Sequence, residues 1–278
     1  MADNGFVDAA WLLAHLDDPR LRIVDARNVP HGGSVVAPGA LDQYHAGHVP
    51  EAIHLDYAYE LADPSTPYAA RVAPADQFAQ ALGSKGIGDD AIVVAYDDGA
   101  LTFAARIVWM LYYYGHDQAY VLAGGIRSWL EAGQVLTQDV PEFAPATFTP
   151  RPHPELRATR EEVLAVSEGR KNAQLVETQR NANYNARGVD MKGAVRLSGQ
   201  DLLEDARGGQ IAPPETLERL VSERNLDKNK RTIVSCGSGV AAAGSYFALK
   251  AAGFRDVAVY DGSWLEWSHD GLPTVPKH

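Results

Sequence analysis

The stretch 231-RTIVSCGSGVAAA-243 decides how the chain is read, because it places the only cysteine of 278 residues at a change of periodicity. Thr232, Ile233 and Val234 form a short β-branched run suited to a buried strand, and from Val240 onward the residues are small and apolar enough to begin a helix. Cys236 therefore falls on a strand-to-helix turn. Gly237, Ser238 and Gly239 follow it, and with two of these three residues lacking a Cβ the backbone can curl so that several N–H groups converge on one point. The expected point is the sulfur, with the positive end of the following helix favouring thiolate over thiol. A core cysteine needs no glycines beside it, whereas a nucleophile needs an open loop, amide donors and a helix N-terminus.

Strand, cysteine and helix in this order serve two chemistries, and the next positions separate them. A cysteine phosphatase loop needs an arginine six positions after its cysteine to grip phosphate bidentately. That position is Ala242, and no Lys or Arg lies between Cys236 and Lys250. Phosphate transfer is disfavoured, and sulfur transfer remains.

CGSGVAA resembles the active-site loop of the rhodanese superfamily, and Tyr260-Asp261-Gly262-Ser263-Trp264-Leu265-Glu266-Trp267 is similar to its closing YDGSW.EW signature. The uncharged CGSGV form resembles 3-mercaptopyruvate sulfurtransferases; thiosulfate-preferring members usually carry basic residues beside the cysteine. The resemblance implies an α/β fold of two tandem rhodanese-like domains and a Cys236 persulfide that carries sulfane sulfur from a small donor to a thiol, thioredoxin-like or cyanide acceptor. It implies no cofactor and no metal. Ser238 would donate a hydrogen bond, and Gly237, Ser238, Gly239, Val240 and Ala241 would supply backbone amides to the sulfur-borne charge. A thiosulfate sulfurtransferase is the alternative, as is a persulfide carrier or sulfur-sensing module with little turnover.

Length and composition agree with this picture. At 278 residues and 46% hydrophobic content the chain can fill one large or two ordinary domains. A net charge of −11 argues against nucleic acid and anionic membranes as partners. One cysteine excludes an intrachain disulfide and a multi-cysteine zinc site. The N-terminal MADNGFVDAAW lacks a basic region followed by an apolar one, and no apolar run approaches membrane-spanning length, so a soluble, cytoplasmic protein is expected.

The sequence repeats. Leu21 to Arg27 parallels Gln174 to Arg180, and Ile92 to Asp97 parallels Thr232 to Cys236. Gly115, Gly124, Trp129 and Gly133 recur as Gly253, Gly262, Trp267 and Gly271 at a constant offset of 138. Each half alternates apolar strands with helical patterns, which predicts an α/β unit with a mainly parallel sheet flanked by helices. The patterns predict helices near 7–16, 74–84 and 102–114 with strands near 21–25, 91–96 and 118–122. In the second half they predict helices near 159–168, 214–224 and 239–252, and strands near 173–177, 231–235 and 256–260. Pro141, Pro145, Pro150, Pro152 and Pro154 mark an extended connector. The expected division is residues 1–140 as a catalytically inactive domain, 141–156 as linker and 157–278 as the catalytic domain.

In the first half Tyr96-Asp97-Asp98-Gly99-Ala100-Leu101 stands where the second has Cys236. The two acids are expected to form a solvated turn, and by resemblance the first domain forms one wall of the cleft. Tyr44-His45-Ala46-Gly47-His48-Val49-Pro50-Glu51-Ala52 resembles the family's GHIPGA strand entry, which gives His45 and His48 structural roles. Some site positions depart from the family. Of the two arginines that hold a mercaptopyruvate carboxylate, the first would fall near Asn183; Arg187 is the candidate for the second, with Arg180 behind it. The Asp and His of a proton relay would fall near Ala58 and Ala70, so a Ser-His-Asp relay through Ser238 is not expected. The threonine expected after Val240 is Ala241.

Overall fold

The computed structural model describes residues 5–28, 40–68, 70–204 and 209–277. The chain divides into two compact units: residues 1–62, 73–152 and 207–209 make the first, and residues 63–72, 153–206 and 210–278 the second.

Unit one contains strands β1 (Phe6–Val7), β2 (Leu21–Asp25), β3 (Ala52–His54), β4 (Ile92–Tyr96) and β5 (Ala119–Leu122). They form one sheet in the order β1-β5-β4-β2-β3, parallel throughout. Its helices are α1 (Ala9–Ala14), α2 (Ala40–Ala46), α3 (Ala75–Ser84), α4 (Phe103–Tyr113) and α5 (Gly125–Glu131). Unit two contains β6 (Arg157–Ala158), β7 (Gln174–Glu177), β8 (Val189–Met191), β9 (Ala194–Arg196), β10 (Thr232–Ser235), β11 (Val257–Tyr260) and β12 (Thr274–Pro276). Its main sheet, β6-β11-β10-β7-β9, is again parallel throughout and has the same strand order; β12 and β8 pair antiparallel beside it. The helices are α6 (Arg160–Ser167), α7 (Asn181–Ala186), α8 (Pro214–Glu223), α9 (Val240–Ala251) and α10 (Ser263–His269).

The six expected strands lie within a residue of their observed limits, because a parallel strand covered on both faces is a continuous apolar run. Every residue of β4 and of β10 is buried. The helix that follows each of these strands is buried over most of its surface: Phe103 to Leu111 in α4, and Ala242 to Leu249 in α9. The constant offset of 138 has a structural counterpart: Trp129 Nε1 donates to Val135 O at 3.0 Å, and Trp267 Nε1 to Pro273 O at 2.9 Å.

The proline-rich stretch up to Pro152 is extended and is fastened along unit one. Ala146 N–H donates to Gly83 O at 2.9 Å, Thr149 N–H to Asp89 Oδ1 at 2.6 Å and Arg151 N–H to Tyr114 O at 2.9 Å. The repeat is displaced by one residue at β7. Asp25 lies opposite Tyr96 and Glu177 opposite Ser235, so the counterpart of Arg27 is Gln179 rather than Arg180. In the GHIPGA-like entry His48 is fully buried, with Nδ1 2.8 Å from Tyr44 O and Nε2 3.0 Å from Asp139 O.

Candidate active site

Parallel α/β sheets present their loops at the carboxyl ends of the strands, and Cys236 is the first residue beyond β10 there. Its sulfur is held by the N–H groups of Ala242, Ser238 and Gly239. Ala242 is the third residue of α9, where the side chain of an N-capping residue ordinarily accepts. Cys236 performs that office from three residues before the cap. Ser238 and Gly239 were expected in this cradle. Ala242 was not, since the sequence displays it only as the place of a missing arginine.

Gly239 makes the curl possible: its φ is +81°, and a Cβ there would lie 2.3 Å from Asp261 O. The cysteine's own backbone is tied down by the start of α10. Cys236 N–H donates to Ser263 Oγ at 3.0 Å, and Ser263 Oγ donates to Tyr260 O at 2.8 Å. Trp264 N–H donates to Cys236 O at 3.0 Å and Leu265 N–H to Gly237 O at 2.9 Å. Ser263 holds this position at a φ of +49°, an uncommon conformation for a residue with a side chain. The closing signature is thus a clamp on the loop.

The electrostatics differ from the sequence expectation. Cys236 is 2% exposed rather than open. Burial pushes its thiol up, the Glu177 carboxylate adds to this, and the three amides pull against them without prevailing. The amide cradle is present, but it works against desolvation and a neighbouring charge. Glu177, at the end of β7 beside β10, is itself 2% exposed. Burial raises its carboxyl, opposed by Arg187, by the Gln179 N–H at 2.8 Å and by Arg196.

Arg187 Nη2 lies 2.9 Å from Glu177 Oε2 and 3.7 Å from Asp190 Oδ1. The guanidinium sits 4.1 Å from the Trp264 ring centroid and 4.8 Å from that of Tyr184. Its Nε, Nη1 and Nη2 are all buried without a well-aligned hydrogen bond among the described residues, so Nη2 meets Glu177 as an ion pair. Asn183 is exposed on α7, and Arg180 stands at that helix's N-cap.

A comparison with protein families matches the rhodanese-like domain twice, over residues 8–132 and 159–270. The chain belongs to the rhodanese-like family. Among curated proteins it is 31% identical over 291 residues to a 3-mercaptopyruvate sulfurtransferase of Escherichia coli K12, with 99% of each chain covered. It is 34% identical over 270 residues to the thiosulfate sulfurtransferase of Bos taurus, covering 92% of this chain and 87% of that one. Among solved structures, the 3-mercaptopyruvate sulfotransferase of Escherichia coli superposes with a TM-score of 0.85 at 31% identity, over 94% of this chain and 98% of that chain. The Tum1 protein of Saccharomyces cerevisiae shares the fold, with a TM-score of 0.84 at 22% identity over 96% of each chain.

Within the first rhodanese-like unit, Asp97 is not part of a solvated turn. It is 2% exposed, and its carboxylate accepts from the N–H groups of Gly99, Thr102, Phe103 and Ala104 at 2.8 to 3.2 Å. Its neighbour Asp98 is exposed. In the second unit, residues 63–68 and 70–72, among them the Pro67-Tyr68 pair and Ala70, supply side-chain and main-chain bonds to the closing signature and the residues after it. Tyr68 OH donates to Asp270 Oδ1 at 2.7 Å, Arg71 Nη2 lies 2.8 Å from Glu266 Oε1, and Val72 N–H donates to Asp261 Oδ2 at 3.1 Å. Asp261 and Glu266 belong to the same signature that clamps the cysteine loop.

Among the described residues, no helix is long and apolar enough to cross a membrane.

Proposed function

We propose that the protein is a sulfurtransferase working through a Cys236 persulfide, with 3-mercaptopyruvate as donor. The observation that carries this reading is a lone sulfur at the start of α9, held by the N–H groups of Ala242, Ser238 and Gly239 with no cationic side chain in the loop. Such a cradle suits a charge carried on one sulfur atom rather than a tetrahedral dianion. The Cys236 thiolate attacks the donor sulfur, the carbon–sulfur bond breaks, and its electron pair leaves as the enolate of pyruvate, which is then protonated. The new sulfur–sulfur bond is broken in turn by an acceptor thiolate, which carries the outer sulfur away and returns the Cys236 thiolate. Burial of the loop keeps water from the persulfide between these steps.

Gly237, Gly239, Val240 and Ala241 line the donor in this reading, and the Ser238 hydroxyl donates to its carbonyl. Arg187 Nε and Nη1, buried and unpartnered, are the donors aimed at its carboxylate. A single cysteine suits work in the reducing cytoplasm.

Thiosulfate is the second donor reading, favoured by the 34% identity to a protein named for it. There the sulfur–sulfur bond breaks and sulfite leaves. Mass analysis of Cys236 after exposure to each donor tests both. One added sulfur from mercaptopyruvate and not from thiosulfate supports the first reading, the converse supports the second, and no added sulfur from either overturns both. Cys236→Ser must abolish transfer.

A further inference from the structure

Both units bury an acid at the tip of the strand beside the strand that leads into the cysteine loop or its counterpart, but they neutralise it differently. In unit one Asp25 is fully buried, and Arg27, two residues on, grips both its oxygens at 2.6 to 3.0 Å while Tyr96 OH donates at 2.7 Å. In unit two the residue two after Glu177 is the uncharged Gln179, whose amide lies over the loop, where a Cβ on Gly237 would come within 3.0 Å of its Nε2. Ser235, opposite Glu177, brings no phenol either, only its Oγ, which donates to Glu177 Oε2 at 3.4 Å. A buried carboxylate that loses both is costly unless another cation arrives. The cation is Arg187, ten residues along the chain, at 2.9 Å.

We propose that Arg187 is a positioning residue for Cys236, acting as the transposed counter-ion of Glu177 and so setting how readily the neighbouring thiol ionises. This is separate from any contact of its Nε and Nη1 with a donor, because the nitrogen at 2.9 Å from Glu177 Oε2 is Nη2.

The surroundings support the assignment. The guanidinium is held between the rings of Trp264 and Tyr184, and Trp264 N–H is bonded to Cys236 O, so the counter-ion and the loop share one support. The other charged groups on the adjoining elements do not replace it. From β9, Arg196 Nη1 donates to the Glu177 main-chain oxygen and Nη2 to Asn181 Oδ1, not to the carboxylate. From β8, Asp190 accepts from Tyr184 OH and Met191 offers only a thioether; after β12, Lys277 Nζ bonds Tyr184 O. From α9 the sulfur meets the Ala242 N–H, which carries no formal charge. Removing the positive charge at Arg187 takes away the cation in contact with Glu177 and leaves the Gln179 N–H and the more distant Arg196 to oppose its charge beside the thiol, and a like charge disfavours the thiolate.

The test is the pH dependence of Cys236 alkylation by iodoacetamide, a neutral reagent with no carboxylate, in the full-length protein. Arg187→Gln should move the alkylation midpoint upward by about one pH unit. Glu177→Gln combined with Arg187→Gln should bring it back to the wild-type value or below. An unmoved midpoint in the single variant, or no return in the double one, overturns the assignment. Should Arg187→Gln fail to fold, the double variant, which buries no charge, still decides: a midpoint above wild type overturns the proposal. A rise in KM for mercaptopyruvate with no change in alkylation would leave Arg187 as a donor contact only and would likewise overturn it.

Discussion

Asp97 and Cys236 occupy the same place in the two units. Each is the first residue after the second strand of its sheet's central pair, each gathers N–H groups from the loop and helix that follow, and each main-chain oxygen accepts from the element that closes the unit. Ile126 N–H donates to Asp97 O at 2.9 Å, and Trp264 N–H to Cys236 O at 3.0 Å. The amide cradle is therefore common to both units: the fold presents converging donors, and the residue at the focus decides their use. A carboxylate there is a helix cap. A thiol there is the nucleophile of the proposed transfer.

Asp97 should consequently matter for stability. Asp97→Ala leaves three buried N–H groups and the half-buried one of Thr102 without this acceptor, and a loss of about 2–3 kcal/mol is expected, allowing for partial relaxation. Asp97→Asn keeps one acceptor oxygen and should cost less. Urea unfolding of the two variants checks the order, and an Ala variant as stable as wild type would contradict the capping role.

Gly239 carries the curl of the cysteine loop, and Gly239→Ala sets a Cβ 2.3 Å from Asp261 O at a φ of +81°. Backbone strain of this kind costs about 1–3 kcal/mol. The loop must shift to relieve it, taking the Ser238 and Gly239 amides off the sulfur. Sulfur transfer should fall by at least about tenfold, with a lowered melting temperature, in a steady-state assay run beside a thermal melt.

The central strands and long helices were legible because their burial writes itself into apolar runs. What escaped has a physical reason in each case. Edge strands β1 and β6 are two residues long, and α7, reading NANYNA, has no apolar face to give it a period. The one-residue slip between Arg27 and Arg180 arose because an arginine follows each strand, while β2 has five residues and β7 has four. The strand-to-helix turn at Cys236 and its amide cradle were visible from the glycines, but the burial of the sulfur was not, because nothing local encodes what packs over a loop. Glu177 showed only as the end of a strand, and its bearing on the thiol needs the register of β7 against β10. Ser263 could have been found: a Ser one residue after the glycine of a closing signature, where the other half has Gly125, signals a side chain with a task.

That task gives a discriminating pair of variants. Ser263→Ala removes the acceptor of the buried Cys236 N–H, at a cost of about 1–3 kcal/mol, and keeps the strained φ of +49°. Ser263→Gly removes the same acceptor and relieves the strain. Both should lower kcat with the donor KM little changed, because the loop loses its clamp rather than its donor contacts. Only the Gly variant should recover stability in a thermal melt, and equal melting temperatures would argue against strain at this residue.

The pH profile follows from the direction of the thiol shift. Burial first, and then Glu177, place the Cys236 thiol above the ordinary range despite the three amides. At neutral pH the thiolate is a small fraction, so alkylation should climb by about tenfold per pH unit and level off at higher pH than for a free cysteine. Stability moves the other way. The unfolded thiol ionises first as pH rises, so above its ordinary range the unfolded chain binds fewer protons than the folded one and folding stability declines. Stopped-flow alkylation and urea unfolding across an alkaline series should show both trends, and the decline should be smaller in Cys236→Ser, where tyrosines whose hydroxyls burial also pushes up, such as Tyr44 and Tyr184, still contribute to it. A plateau of alkylation already reached at neutral pH would mean that the amides outweigh burial and Glu177, reversing the direction argued for this thiol.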